Sequence, residues 1–301
     1  MKKLKKFYKN NTLFAYYIMK GVEMKRKLSH SAITTYLDCQ KKWDFVYNKG
    51  LKQDNIHLQF GSMAHKVLET KIIPDEILYP ELKEFFGITS WKKYFSDVLK
   101  EIDAFMRQNN LEQIGSEVDV EDDNMVGCID CIYKIKGSDK YIIADYKFSN
   151  NIKGYEELIV DEQMYIYAWL YHLQTGIPIE NISTCYINIP KVQLDAPRVL
   201  KNGKLSQDKA QNTTYEAYLD AINKLGLDIK EYEGILEELK NKKYVVFTLN
   251  SINLDALERV FENIENVIKD MQKPYILEKN SYMCTKCDFY EYCKLGKEIK
   301  K

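Results

Sequence analysis

The stretch from Val126 to Lys147 constrains the fold of this chain more than any other. It reads VGCIDCIYKIKGSDKYIIADYK, so two β-rich runs flank a short glycine-containing linker at 137–139. Such a linker between apolar runs is typical of an antiparallel hairpin. If Lys136 and Lys140 close the ladder, Asp130 on the first strand falls opposite the segment 145–147 on the second. The stretch therefore predicts a hairpin on which acidic side chains meet.

Two carboxylates and a lysine can converge on this hairpin. Asp145 and Lys147 alternate with Tyr146 and so share one face of the strand, and a register shift of one residue decides whether Asp130 joins them. Carboxylates on neighbouring strands can hold Mg²⁺ or Mn²⁺, and an ammonium can position a water or offset developing charge. An isolated Asp-x-Lys is more often an exposed ion pair, but here the aspartates interrupt apolar runs, where a carboxylate is costly unless paired or coordinated. The pattern indicates hydrolysis of a phosphodiester.

Composition bounds the remaining possibilities. With 301 residues and 45% hydrophobic content, the chain can form one large domain or one domain with insertions. Lys and Arg total 44, as do Asp and Glu, so any phosphate-binding surface must be local. Seven cysteines without a convincing secretion signal predict a reduced, cytoplasmic setting, and the apolar run at 12–19 is too short to span a membrane. No GxxxxGK[ST] loop is present, which argues against a P-loop motor.

Helical and strand periodicities flank the hairpin on both sides. Ser29 is a plausible N-cap of a helix that reaches about Tyr47, and Gln163 and Tyr167 are spaced to share one face of a later helix. The other predicted segments are a helix from about Leu58 that carries His65, a connection at 74–90, helices at 91–108, 155–173 and 253–271, strands at 112–120, 181–189 and 244–248, and an insertion at 191–243.

A cysteine constellation closes the chain. Cys284, Cys287 and Cys293 form C-x2-C-x5-C, one ligand short of a four-thiolate zinc or iron–sulfur site. The candidates for the fourth ligand are Cys39, Cys128, Cys131 and Cys185. Cys128 and Cys131 point to opposite faces of a strand, and Cys185 lies in an apolar strand, so Cys39 with its polar neighbours is the best choice. Spacing alone leaves zinc and a cluster equally open.

Taken together, six motifs resemble one known family. In order they are SHSAITTYLDCQKKWDFVY, GSMAHKVLE, GCID, ADYK, QMYIY and CTKCDFYEYC. This order resembles the PD-(D/E)XK nucleases of the RecB-like group. Within that group it is most similar to the iron–sulfur branch, which comprises the AddB nuclease domain and the CRISPR-associated spacer-acquisition nucleases. The resemblance runs from about Leu28 to Cys293, with 191–243 outside it.

The resemblance implies a role for each matching residue. His65, Asp130 and Asp145 would ligate the divalent metal with the main-chain carbonyl of Tyr146, and Lys147 would activate or orient the attacking water. Gln163 and Tyr167 match the QxxxY motif, which is associated with substrate and active-site organisation. Glu117 stands where many relatives carry an acid whose role is open. The four thiols implied as ligands of a [4Fe-4S] cluster, now favoured over zinc, are Cys39, Cys284, Cys287 and Cys293.

Two motif positions depart from the family pattern. The Pro-Asp motif is Ile129-Asp130 here, and the Glu-x-Lys motif begins with Asp145. Both variants keep the oxygen ligands and the ammonium, so neither change predicts an inactive site.

The implied fold is a restriction-endonuclease-like α/β core, in which a central mixed β-sheet is flanked by helices, with helical insertions and a C-terminal cysteine cluster. A single nuclease domain would occupy 28–301 after an N-terminal extension at 1–27. We expect a metal-dependent DNA exonuclease acting on single-stranded or frayed ends, with helicase, recombination or spacer-acquisition proteins as partners and no membrane association. Two alternatives stay open: a catalytically silent DNA-binding subunit stapled by a cluster or zinc, and a cluster-bearing redox or scaffold protein.

Overall fold

A five-stranded sheet lies at the centre of the computed structural model, which describes residues 26–53, 55–76, 79–149, 151–241, 244–272, 284 and 287–295. The first three strands are antiparallel, the fourth is parallel to the third, and the fifth is antiparallel to the fourth. The predicted mixed sheet flanked by helices is therefore confirmed. In chain order the strands are β1 (Leu111–Glu121), β2 (Val126–Ile135), β3 (Tyr141–Phe148), β4 (Ile182–Ile189) and β5 (Val246–Ser251).

Helices cover both faces of the sheet. Within the described part of the chain, none is long and apolar enough to cross a membrane. The helices are α1 (His30–Asp38), α2 (Gln40–Trp43), a π-helical turn (Asp44–Asn48), α3 (Ile56–Thr70), α4 (Pro80–Phe86), α5 (Trp91–Gln108), α6 (Tyr155–Leu158), α7 (Glu162–Thr175), α8 (Tyr215–Leu225), α9 (Glu233–Asn241), α10 (Leu254–Met271) and α11 (Tyr290–Leu295), with 3₁₀ turns at Ile179–Asn181 and Ile229–Tyr232.

Two hydrophobic cores lie on opposite faces of the sheet. On one face α1, α7 and α10 pack together, and most of α7 is buried because it contacts both the strands and α10. On the other face α3 and α5 bury large aromatic side chains, including Phe60, Trp91 and Tyr94. Each such side chain contributes roughly 1.5–3 kcal/mol when fully buried. At the sheet edge that lies between the two cores, helices from both faces can reach the same strands.

Two predicted helices are interrupted in the structure. Ser29 caps α1 as predicted, accepting a hydrogen bond from the Ala32 N–H at 3.2 Å. The helix then breaks at Cys39, where the backbone is extended with φ −164°, so Cys39 lies at a break and not inside a helix. The helix predicted over 155–173 is divided because Asp161 begins a new one, accepting from the Met164 N–H at 3.3 Å. Both interruptions bring polar side chains to helix ends.

The connections also differ from the predictions. The segment at 74–90 contains α4, which begins at Pro80, a residue suited to the first helical position. Between β4 and β5 the chain forms α8, α9 and a small core of its own, made of Leu205, Tyr218, Ile222, Tyr232, Ile235, Leu236 and Leu239. The boundaries 28–301 for the nuclease domain and 191–243 for the insertion stay predictions, and the extension at 1–27 lies almost wholly outside the described residues.

Candidate active site

The hairpin of β2 and β3 pairs one residue away from the predicted register. Cys131 lies opposite Ala144, whereas closure by Lys136 and Lys140 would displace every pair by one. The shift arises at the turn, because the Ile135 N–H donates to the Lys140 carbonyl at 3.0 Å. Regular pairing between the two strands ends at Cys131 and Ala144, immediately before the two aspartates.

Asp130 interrupts the regular alternation of β2. Its neighbours Ile129 and Cys131 pack into opposite cores although only one residue separates them. The ladder between β1 and β2 is interrupted at the same level, since Ser116 pairs with Cys131 and Val118 with Ile129, while no pairing joins Glu117 and Asp130 between them. Asp130 Oδ2 accepts a hydrogen bond from the Tyr146 N–H at 2.7 Å, so a carboxylate takes the place of a main-chain acceptor. The strands separate here, and the acid lies between them.

On the α7 face, four polar side chains form one network. The Lys147 ammonium lies 2.7 Å from Asp145 Oδ2 as an ion pair, and 3.5 Å from Gln163 Oε1. The Gln163 amide nitrogen donates to Asp145 Oδ1 at 3.2 Å and to the Tyr167 hydroxyl at 2.9 Å. The structure thus brings Asp145, Lys147, Gln163 and Tyr167 together, as their spacing predicts.

His65 approaches from helix α3 on the other face. Its Nδ1 lies 3.3 Å from Glu117 Oε1 and 3.5 Å from Asp130 Oδ1. One ligand atom from each of these three residues falls within 4.8 Å of the others. Ligands of a single Mg²⁺ lie at most about 4.2 Å apart, since each bond is about 2.1 Å long. A small closure of these side chains would let them share one cation.

Glu117 is the member of this group whose role the sequence leaves open. It lies in β1, between Ser116 and Val118, which pair with Cys131 and Ile129 of β2. Its φ of +49° is in the left-handed region, which a residue with a side chain rarely adopts in a strand. Strain of this kind is concentrated at functional sites. Gly115 lies two residues earlier, at a register shift of β1, but nothing in the sequence marks position 117 itself.

The electrostatics of the two aspartates favour a bound cation. Burial raises the pKa of Asp130 to about 8, with Asp145 adding to the effect and the Tyr146 hydrogen bond opposing it. Burial also raises the pKa of Asp145, although Lys147 acts in the opposite direction. Burial would lower the pKa of Lys147, but Asp145, Asp161 and Asp130 together outweigh burial, and the pKa is raised. One ammonium does not offset this crowding of buried acids, and a divalent cation among them would relieve it.

Tyr146 separates the two faces of the site. Its ring packs against the His65 imidazole with centroids 6.0 Å apart, on the face opposite to Asp145 and Lys147. Its N–H is bound by Asp130, as described above. The expected role of the Tyr146 carbonyl as a metal ligand stays a prediction.

One histidine near the site was missed by sequence reasoning. His30 begins α1, directly after the Ser29 N-cap, and lies within electrostatic range of Asp161, Glu162 and Lys147. Burial lowers the pKa of His30, although Asp161 and Glu162 act to raise it. No motif marks this position.

The four predicted cluster ligands, Cys39, Cys284, Cys287 and Cys293, are half-buried and form no disulfide. Burial raises the pKa of Cys287, and the neighbouring Cys39 thiol acts in the same direction, so these two residues from opposite ends of the chain lie near each other. The Cys287 N–H donates to the Cys284 carbonyl at 3.3 Å, and the Cys293 N–H donates to the Phe289 carbonyl at 2.7 Å. Cys128 is half-buried, and Cys131 and Cys185 are buried. The burial of Cys185 is as predicted, whereas the break of alternation at Asp130 removes the basis for placing Cys128 and Cys131 on opposite faces.

Aromatic side chains hold the C-terminal segment, residues 287–295, in place. Phe45, in the turn that follows Cys39, lies 5.6 Å from the Phe289 ring and 4.8 Å from the Tyr292 ring. These contacts hold the segment that carries Cys287 and Cys293 against the helices that follow α1.

Comparisons with known proteins address the fold and the family. No curated protein matches the sequence. Among solved structures, a Eubacterium rectale protein provisionally described as an exonuclease is 11% identical, with 91% of this chain and 90% of that chain covered and a TM-score of 0.44. The structure of SSO0001 is 13% identical, with 81% of this chain and 98% of that chain covered and a TM-score of 0.26.

A family model matches most of the chain. Residues 27–294 match the family model described as the PD-(D/E)XK nuclease superfamily. The mixed sheet flanked by helices is consistent with the restriction-endonuclease-like fold expected for such a chain. Because the match spans most of the sequence, this protein belongs to the PD-(D/E)XK nuclease superfamily.

Proposed function

We propose that this protein is a metal-dependent deoxyribonuclease that removes nucleotides from single-stranded or frayed DNA ends. Membership of the nuclease superfamily supports hydrolysis of phosphodiester bonds. The observation that carries the proposal is the convergence, at one sheet edge, of the acids Asp130 and Asp145 with Lys147 and His65. Binding alone would not require two buried acids, which repel the phosphates of DNA unless a cation lies between them.

The ligands of the cation would be His65, Glu117 and Asp130, with Asp145 beside them. Oxygen ligands suit Mg²⁺ and Mn²⁺, and the imidazole favours Mn²⁺ over Mg²⁺. When bound, the cation supplies polarisation of the phosphate and a lowered pKa for water. Asp130 must give up its proton to bind the cation, because its pKa of about 8 keeps it largely protonated at neutral pH.

Lys147 acts as a cation and hydrogen-bond donor in this proposal. Its raised pKa keeps the ammonium charged, so it orients the attacking water and offsets charge on the phosphate, and does not remove a proton. Gln163 binds Asp145, Lys147 and the Tyr167 hydroxyl, and so fixes their relative positions. Tyr167 anchors Gln163 and is itself largely buried.

The preference for single strands is supported by an aromatic row that leads away from His65. At its far end Phe85 is 58% exposed, a high value for a phenylalanine that already has aromatic neighbours. Exposed aromatic faces bind unpaired bases by stacking. Consecutive ring centroids in the row are 5.5 Å apart for His65 and Phe148, 5.7 Å for Phe148 and Phe60, 4.7 Å for Phe60 and Phe86, and 4.9 Å for Phe86 and Phe85.

A [4Fe-4S] cluster on Cys39, Cys284, Cys287 and Cys293 is the second part of the proposal, and such a cluster would be typical of the iron–sulfur branch. The proximity of Cys39 and Cys287 supports it. The cluster would link the two ends of the chain covalently, so its role is structural. Zinc is the alternative. Helicase, recombination or spacer-acquisition partners and a cytoplasmic setting stay predictions.

Cleavage of matched DNA substrates by anaerobically purified protein tests this function. With Mn²⁺, we expect end-labelled linear single strands to be shortened from an end, while circular single strands resist and blunt duplexes are cut more slowly. Iron and acid-labile sulfide should be present in equal amounts, near four of each per chain. DNA binding without cleavage would indicate the silent binding subunit, and zinc in place of iron would reject the cluster.

A further inference from the structure

A second lysine lies beside the proposed active site. The Tyr186 ring has two ammonium groups against it, with Lys147 Nζ 5.2 Å and Lys153 Nζ 5.6 Å from its centroid. Tyr186 itself is the β4 residue that pairs with Asp145 of β3. The Lys153 ammonium is therefore one tyrosine ring away from the Asp145–Lys147 ion pair.

The backbone of Lys153 is fixed by a buried side chain. Its N–H donates to Asn188 Oδ1 at 2.9 Å, and its carbonyl accepts from Asn188 Nδ2 at 3.0 Å and from the Thr248 hydroxyl at 3.2 Å. Asn188 is 2% exposed and pairs with Lys147 in the sheet. One amide thus satisfies both main-chain groups of Lys153, which holds this residue of the β3–α6 connection in a set place.

The acids near Lys153 are already engaged. Asp161 accepts a hydrogen bond from the Tyr186 hydroxyl, and Glu157 accepts one from the Gly154 N–H at 2.5 Å. Within the described ranges, no ion pair joins Lys153 to a carboxylate. The cation is half-exposed, so it can take an anion from solvent.

We propose that Lys153 binds a backbone phosphate of the DNA strand next to the scissile phosphodiester. Lys147 and Lys153 would then form a two-cation cradle around Tyr186 for consecutive phosphates. This inference rests on the proposed nuclease function. A contact of this kind depends on the charge of the phosphate and does not distinguish one base from another. Because it acts on substrate and transition state alike, it lowers KM more than it raises kcat.

Three variants test the proposal: Lys153→Met, which keeps the apolar stem, Lys153→Arg, which keeps the charge, and the control Lys134→Met. Lys134 also stacks on a tyrosine of the sheet, with Nζ 5.4 Å from the Tyr141 centroid, but at the opposite end of β3. Binding of a fluorescent single-stranded oligonucleotide is measured in chelator over a range of salt concentrations. Steady-state cleavage is measured with Mn²⁺.

We expect Lys153→Met to weaken binding by roughly three- to tenfold and to reduce the slope of log affinity against log salt by about 0.7, the value for one phosphate contact on a single strand. KM should rise by a similar factor with kcat nearly unchanged. Lys153→Arg should restore both, and Lys134→Met should match the wild type. An unchanged salt slope and KM in a Lys153→Met protein that still cuts DNA would overturn the inference. If the wild type neither binds nor cuts DNA, the nuclease proposal itself fails.

Discussion

Tyr167 lies so close to Gly127 that a Cβ atom at position 127 would be 2.5 Å from Tyr167 Cε1. The same tyrosine receives the Gln163 hydrogen bond through its hydroxyl. The absence of a side chain at Gly127 therefore sets how close α7 comes to β2. Through Gln163, that distance fixes the position of Asp145.

Gly127→Ala should displace the Tyr167 ring and destabilise the protein by about 1–3 kcal/mol, as overpacking does in other cores. We expect a larger effect on cleavage than on stability, since Gln163 moves with the ring. Chemical denaturation and cleavage assays measure the two effects. Gly61→Ala in α3 is the matched control, because nothing lies within 4 Å of a Cβ there. A Gly127→Ala protein with wild-type activity would contradict the coupling.

We expect the strained backbone at Glu117 to lower the stability of the protein, whereas its carboxylate strengthens metal binding. Glu117→Ala and Glu117→Gly both remove the carboxylate, but only glycine relieves the positive φ. In chelator, Glu117→Gly should therefore be more stable than Glu117→Ala by about 1 kcal/mol, the reverse of the usual order within a strand.

Both Glu117 variants should bind Mn²⁺ more weakly than the wild type, on the order of tenfold or more. Calorimetric titration with Mn²⁺ measures this loss, and thermal denaturation in chelator ranks the two variants. An alanine variant at least as stable as the glycine variant would show that position 117 is not strained.

The raised pKa of Asp130 predicts a pH dependence in metal-free protein. Its value of about 8 in the folded state exceeds the ordinary 3.8, so the folded state holds this proton more tightly than the unfolded state. The stability that Asp130 contributes is complete below about pH 4 and is lost as pH rises towards 8. Asp130→Asn should flatten this decline in chelator, and exposed Asp139→Asn should leave it unchanged.

Metal affinity should rise with pH, whereas the stability of the metal-free protein falls, because the cation displaces the proton of Asp130. We expect Mn²⁺ affinity to rise with pH up to about 8 and then to level off. Titrations at fixed ionic strength measure this, and an affinity independent of pH between 6 and 8 would contradict the assignment of Asp130 as a buried ligand.

Phe85→Ala should weaken binding of single-stranded DNA by about 1–3 kcal/mol if one base stacks on its ring. Binding of blunt duplex should change little, since paired bases are not available to the ring. Leu225→Ala, at the exposed end of α8 in the insertion, is the control. Equal losses on single strands and duplex would show that Phe85 does not select unpaired bases.

Much of this site follows from sequence periodicity. The glycine-containing linker after Ile135 marks a hairpin, and the spacing of Gln163 and Tyr167 places both on one face of a helix. The register of the hairpin does not follow, because the turn closes through the Ile135 N–H and the Lys140 carbonyl, one residue away from the expected closure. The Asp130 carboxylate then replaces a main-chain acceptor for the Tyr146 N–H, which a rule based on paired main chains cannot anticipate.

Two further features were beyond sequence reasoning for the same reason. They are the helix break at Cys39 and the positive φ at Glu117, and no glycine or proline occupies either position. Tertiary contacts lie close to both, because Phe45 docks on the C-terminal segment shortly after the break, and the pairing of β1 with β2 is interrupted at Glu117 and Asp130. Such contacts override local propensity at the places where ligands would bind.

The most direct test of the account is cleavage of end-labelled single-stranded DNA with Mn²⁺ by the wild type, Asp145→Asn and Asp139→Asn. Asp145 is buried against Lys147 and Gln163, whereas Asp139 lies exposed in the turn of the same hairpin. We expect Asp145→Asn to abolish cleavage while the protein stays folded and binds DNA, and Asp139→Asn to cut like the wild type. Wild-type cleavage by a folded Asp145→Asn protein would contradict the assignment of the active site to this sheet edge.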